Sequence, residues 1–161
     1  YPVRTFMKIV DYTSDRAFEI ADLFHSSVHA IDSSVYSSEQ KEAWAPTPPN
    51  YDKWKARLSA KKPYLAIVDE RVAGFIELDS DGHIDCTYTS PDYQRQGVAK
   101  ALFNHIMCIA KSRGNKRLYV EASFIAKPLF EKFGFSVLHE NKVERNQVVL
   151  TNFTMNKWLQ P

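Results

Sequence analysis

The chain is predicted to be an α/β domain with one mixed central β-sheet and helices on both faces. Three observations carry this expectation. Segments with apolar residues at helical spacing alternate along the chain with short strand-like apolar runs. The runs at 64–69 and 72–78 are apolar on both sides, so both faces of their sheet need a cover. The strand–helix–strand succession across 83–122 requires a right-handed crossover and a parallel pair, whereas the hairpin before it is antiparallel. With 161 residues, 44% hydrophobic and 25% charged, the chain suits a single domain over 1–161 with a sizeable core, which excludes disordered and low-complexity classes.

The elements follow in order. Residues 7–12 alternate enough for a first strand. Thr13, Ser14 and Asp15 offer a helix N-cap, and Phe18, Ala21, Leu23, Phe24, Val28 and Ile31 recur at helical spacing behind it, giving an amphipathic helix over 15–31. A short helix at 38–44 is stopped by Pro46, Pro48 and Pro49. A third helix, 51–61, carries Trp54 and Leu58 on one face. Strands at 64–69 and 72–78 form a hairpin around Glu70 and Arg71. A turn at 79–82 leads to a strand at 83–89. A long helix runs from Gly97 to Ser112 with Val98, Ala101, Leu102, Ile106 and Ile109 inward, and Gly114 caps it. A strand at 118–122, a helix at 126–133 capped by Gly134, and strands at 137–140 and 148–155 complete the chain.

Charge and cysteines narrow the class. Lys plus Arg total 21 and Asp plus Glu 19, a net charge of +2, so no basic stripe draws the chain to nucleic acid or anionic lipid. Cys86 and Cys108 lack CxxC or Cys/His spacing and are expected as two buried, reduced thiols. No apolar run approaches the ~18 residues of a membrane span. No signal-peptide pattern is visible, and a soluble, cytoplasmic protein is expected.

The stretch that carries chemistry is Gln94-Arg95-Gln96-Gly97-Val98-Ala99, between a strand and a long helix. The first N–H groups of a helix have no internal partner, and the positive end of the helix dipole lies behind them. Small residues at Gly97 and Ala99 let ligand oxygens reach bare backbone, which makes a cradle for a pyrophosphate. There is neither GxxxxGK[ST] nor GxGxxG, so this is neither a nucleotide P-loop nor a dinucleotide fingerprint.

Residues 88–102, Tyr-Thr-Ser-Pro-Asp-Tyr-Gln-Arg-Gln-Gly-Val-Ala-Lys-Ala-Leu, resemble the acetyl-CoA signature of the GNAT superfamily of N-acetyltransferases. Residues 126–135 resemble that family's second signature, AxxFYExxGF, at the matching separation and in the matching order. Residues 36–40 and 43–46 resemble one bacterial subgroup of uncharacterised members. The resemblance implies the acyl-CoA N-acyltransferase fold, with an acetyl-CoA-binding core at 83–135 and a helical acceptor-side region at 15–61. It implies that the pyrophosphate lies on the backbone of Gln96, Gly97, Val98, Ala99 and Lys100, with Gln94 and Arg95 closing over it. The pantetheine arm would run between strands 83–89 and 118–122. Its amides would pair with the main chain of Thr87 and Thr89, and its thioester carbonyl would accept an N–H near Tyr88 or Thr89. Ser123 stands where the family often has an Asn touching pantetheine.

Acyl transfer to an amine needs a neutral amine, a positioned thioester, a stabilised oxyanion and a departing thiolate. Candidate bases are Asp85, then Glu77, then His83, on the reasoning that 83, 85, 87 and 89 share one strand face. The family's Tyr acid is replaced by Phe130, which is expected in the core. Tyr88, Tyr119 or Cys86 are candidate substitutes, although a thiol of pKa about 8.5 can depart unprotonated. Acceptor recognition falls on His25, His29, Tyr36, Gln40, Trp44 and Arg57, whose aromatic members suit an amine through cation–π contact. His25 and His29 are at i, i+4 spacing, but without HExxH or a third ligand in view no metal is expected. The expected function is transfer of acetyl from acetyl-CoA to a primary amine in a ternary complex, by a monomer or homodimer. The alternative is a non-catalytic acyl-CoA sensor of the same fold.

Overall fold

Hydrophobic period and turn residues decide where each element begins and ends. In the computed structural model, which describes residues 6–160, the order is β1 (Met7–Asp11), α1 (Ala17–His29), α2 (Ser38–Trp44), α3 (Tyr51–Lys61), β2 (Tyr64–Val68), β3 (Arg71–Leu78), β4 (His83–Thr89), α4 (Val98–Ser112), β5 (Arg117–Ala122), α5 (Ala126–Lys132), β6 (Ser136–Arg145) and β7 (Val148–Trp158). Every predicted helix and strand is present in the predicted order. The extreme ends of the expected 1–161 domain lie outside the described residues.

Several local expectations are corrected. A 3₁₀ turn, Ser14–Arg16, precedes α1, and Thr13 makes no side-chain cap bond. Phe18 does not face the core; it is exposed and packs on Tyr51 at 5.1 Å. The β2–β3 turn falls at Asp69 and Glu70, both at positive φ, so Arg71 already opens the strand. Asn146 and Gln147 turn the last hairpin in the same way, and β6 and β7 run longer than their apolar cores suggested. Cys86 and Cys108 are both free, but Cys108 is exposed.

The seven strands form one sheet in the order β1-β2-β3-β4-β5-β7-β6. Among the described residues only β4 and β5 pair in parallel, as the intervening α4 crossover demands. On one face α4 and α5 bury Leu102, Phe103, Ile106 and Phe130 against Ile76, Ile84, Leu118, Val120 and Met155. On the other, α1 and α3 bury Ile20, Leu23 and Leu58 against Leu65, Ile67 and Phe75. Phe130 is thus core, as expected.

One approach is unusually close. A Cβ on Gly74 would lie 2.7 Å from Val98 Cγ1 and 3.0 Å from the Tyr88 carbonyl, so only glycine lets the start of α4 settle onto β3.

Candidate active site

Two features of the backbone create the site. The first is a gap within the sheet. β4 and β5 share only two rungs, His83↔Tyr119 and Ile84↔Val120, and beyond them Asp85 to Thr89 have no β5 partner. Which main-chain groups face this gap follows from the β3–β4 ladder. Ser90 N–H donates to the Ala73 carbonyl at 2.7 Å, around the pair Gly74↔Thr89. That makes Gly74↔Thr89 a non-hydrogen-bonded pair, so Phe75↔Tyr88 is hydrogen-bonded and Ile76↔Thr87 is not. The amides of Thr87 and Thr89 therefore face the gap, while the Tyr88 N–H is spent on β3. Of the two N–H groups named as oxyanion donors, only that of Thr89 faces the gap. The Thr89 carbonyl already accepts from Ser27 Oγ at 2.8 Å and Gln94 Nε2 at 3.3 Å.

The second feature is the entry to α4. Arg95 (φ +62°) and Gly97 (φ +79°) both adopt left-handed conformations, and Gly97 is the N-cap. Ala101 N–H, donating to the Gly97 carbonyl at 3.0 Å, begins the helix ladder, so the amides of Val98, Ala99 and Lys100 precede it. The first turn carries no acidic residue. A Cβ built on Gly97 would meet nothing within 4 Å, so the space beside Gly97, where these amides begin, is open. Successive N–H groups at such a bend form an anion-binding concavity.

The predicted site residues divide accordingly. Thr87 Oγ1 donates to the Phe75 carbonyl at 3.0 Å, leaving its main chain for the gap. Ser123 lies at the end of β5, where its hydroxyl accepts the Ala126 N–H at 3.1 Å. Tyr36, Trp44 and Tyr88 come together: Trp44 Nε1 donates to Tyr88 Oη at 3.1 Å, and Tyr36 packs edge-on against Trp44 at 5.3 Å. Tyr36 also accepts the Phe124 N–H at 3.0 Å, just past β5. Gln40 also has a structural use. It completes the capping box with Ser37 that starts α2, and its Nε2 donates to the Val149 carbonyl at 3.3 Å. His29 bonds the Ala45 carbonyl at 2.8 Å.

The candidate bases are also distinguished. A β-bulge between Glu77 and Leu78 leaves Asp85 as the extra residue of β4, so the strict alternation expected for 83, 85, 87 and 89 is broken. Asp85 instead reaches α3, 3.0 Å from Arg57 Nη2 and 2.7 Å from Lys61 Nζ. Burial would raise its pKa, but these two cations outweigh that and hold it low. Glu77 is fully buried under Arg57, with contacts of 2.6 and 3.1 Å, and burial raises its pKa despite the guanidinium. Cys86 and Tyr88 are pushed well up by burial and hold their protons. Tyr119 is tied to Asp81, which lifts its pKa to about 12.

His83 differs from all of these. Its Nε2 is 2.6 Å from Glu121 Oε2 and its Nδ1 is 3.2 Å from Asp79 Oδ2. Burial would lower the imidazole pKa; Glu121 and Asp79 reverse this and raise it. Glu121, the first β5 residue past the shared rungs, borders the apex of the gap. Local sequence pattern does not reveal this contact, because the two residues are 38 positions apart. The signal was a lone carboxylate alternating with buried Leu118, Val120 and Ala122.

A family profile described as an acetyltransferase (GNAT) domain matches residues 32–157. The Escherichia coli protein YafP, described as an uncharacterized N-acetyltransferase, is 31% identical over 149 residues, covering 92% of this chain and 94% of YafP. A crystal structure from Rhodopseudomonas palustris, described as a GCN5-related N-acetyltransferase, superposes with a TM-score of 0.90 at 33% identity, covering 99% of both chains. The PaiA N-acetyltransferase from Thermoplasma acidophilum, solved in complex with coenzyme A, shares the fold with a TM-score of 0.74 at 19% identity, covering 96% of this chain and 99% of that one.

Proposed function

Because the chain belongs to the GNAT family of N-acetyltransferases, we propose that it moves an acetyl group from acetyl-CoA to a primary amine of a small molecule or peptide by direct attack in a ternary complex. The observation that carries this reading is the open β4–β5 gap beside the unobstructed amides of α4. The pyrophosphate rests on the amides of Gln96 to Lys100, with Gln94 and Arg95 closing over it, and pantetheine enters the gap past Ser123 and pairs with the backbone of Thr87 and Thr89. The Thr89 N–H stabilises the oxyanion.

The amine enters on the α1–α3 face, between the Tyr36–Trp44–Tyr88 cluster and the His83–Glu121 pair. His83, third among the bases expected from sequence, is now the best candidate. A general base works best with a pKa near the operating pH, and imidazole lies closest. Asp85 is neutralised by two cations, and Glu77 is sealed from the gap. Both imidazole nitrogens face carboxylates, so in the reaction the ammonium proton passes to the His83–Glu121 pair as a unit. A nitrogen–carbon bond then forms, the attacking nitrogen gives up its second proton to solvent as the carbon–sulfur bond breaks, and the CoA thiolate leaves and takes a proton from solvent. Buried Phe130 supplies no acid. The absence of that acid is what favours the second reading, an acyl-CoA sensor.

Calorimetry with CoA tests the donor site, and thiol release from acetyl-CoA against an amine library tests turnover. Binding with turnover supports the enzyme, binding without turnover for any amine supports the sensor, and no binding overturns both.

A further inference from the structure

We propose that His25, His29 and Glu42 form a divalent-cation site, of the borderline class typified by zinc, that clamps the end of α1 to α2. His25 and His29 are one turn apart on α1, and their rings stack with centroids 4.1 Å apart and planes at 27°. Glu42, from α2, supplies the third group that the sequence spacing did not reveal. One ligand atom from each of the three lies within 4.8 Å of the others.

The surrounding donors close on the same point. His29 Nε2 is 3.6 Å from Glu42 Oε1 and 2.8 Å from the Ala45 carbonyl oxygen. Thr47 Oγ1 donates to Glu42 Oε1 at 2.5 Å and lies 2.7 Å from His25 Nε2. Ligand atoms about 2.0–2.2 Å from one ion are about 2.9–3.6 Å apart, a spacing the His29–Glu42 pair already has, while His25 reaches Glu42 through the Thr47 hydroxyl. The Thr47 hydroxyl occupies the place a cation would take between imidazole and carboxylate. The Thr47 N–H holds the other carboxylate oxygen at 3.0 Å, which orients the carboxylate as outer partners of metal ligands do.

Two imidazoles and one carboxylate suit zinc and its neighbours rather than calcium or magnesium, which prefer all-oxygen sets. Asp79, His83 and Asp85 also lie together. There the carboxylates are already satisfied by Lys61 and Arg57, so that cluster is not the proposed site. Binding at His25, His29 and Glu42 would have a consequence two residues along α2. Trp44, between Glu42 and Ala45, bonds Tyr88, so the ion would stiffen the aromatic wall. Zinc binding itself is independent of acetyl transfer.

The test titrates the full chain with Zn²⁺ against a chromophoric chelator and records Co²⁺ absorption, both without CoA. One equivalent is expected to bind, with a Co²⁺ spectrum of low coordination number. Free Zn²⁺ at about 100 times Kd should raise Tm by roughly 5–10 °C. His25→Gln and Glu42→Gln should each weaken Zn²⁺ by about 100-fold, since even outer partners of metal ligands are worth about 10- to 100-fold. Asp85→Asn should leave the affinity unchanged. Absence of stoichiometric binding by the wild-type chain overturns the proposal, as does affinity undiminished in both His25→Gln and Glu42→Gln.

Discussion

Replacing Gly97 by alanine separates the proposed anion cradle from a plain helix start. Gly97 has φ +79°, and an added Cβ would find nothing within 4 Å. The folded protein therefore suffers only the left-handed strain of an L-residue, roughly 1–2 kcal/mol, with no steric term. In a domain of this size that corresponds to a Tm loss of about 2–8 °C. Coenzyme A meets a different situation. The new methyl enters the open space beside Gly97, at the head of the amides of Val98 to Lys100, where the pyrophosphate is proposed to lie. Loss of one charge-assisted hydrogen bond is worth about 1.5–3 kcal/mol, or roughly 10- to 100-fold in Kd. Thermal unfolding of the apo chain and calorimetric titration with CoA measure the two effects separately. A Kd unchanged within twofold, in a variant that has lost the expected stability, would refute the reasoning, because the open space would then not be the phosphate seat.

Further outcomes follow from other contacts. Arg57→Met strands the fully buried Glu77 without its guanidinium. Breaking such a pair costs about 3–5 kcal/mol, reduced to roughly 2–4 here because Arg57 is 38% exposed. Burial already raises the folded-state pKa of Glu77 and would raise it further in the variant. Such a carboxyl favours folding fully below its unfolded pKa and loses that contribution as pH rises through the folded value. Urea unfolding should therefore show a larger deficit at pH 8 than at pH 5, and a small, pH-independent deficit would count against the pairing. Glu121→Gln should move the acidic limb of the kcat/KM profile to lower pH, because His83 loses the carboxylate that raises its pKa; an unmoved limb argues against His83 as base. Gly74→Ala should destabilise by about 1–3 kcal/mol, since its methyl would collide with Val98 and the Tyr88 carbonyl, and a neutral effect on chemical unfolding would contradict that packing.

The element order was legible because its signals are local. The apolar spacing of α4, the glycines that end α4 and α5, and the prolines after α2 each act within a few residues. The bend at Gln94 to Lys100, proposed as the pyrophosphate cradle, was legible for the same reason, as one turn with a helix behind it. Gln40 shows a limit of local reading, because one polar residue suits both a capping box and a ligand contact, and only the structure reveals the capping box with Ser37 and the bond to Val149. The face of Asp85 depended on a bulge, and a single inserted residue reverses the alternation that strand reasoning relies on.

By itself, then, the sequence determined the strand–helix order, the two covered faces and the glycine bend that opens α4, since hydrophobic period and backbone chemistry act between near neighbours in the chain. Only the tertiary structure decided that β4 and β5 part after two rungs, that Arg57 and Lys61 neutralise Asp85, and that Glu121 meets His83 while Glu42 meets His29. These pairings join groups from separate elements, and their electrostatics depend on distance and burial, which exist only once those elements have packed together.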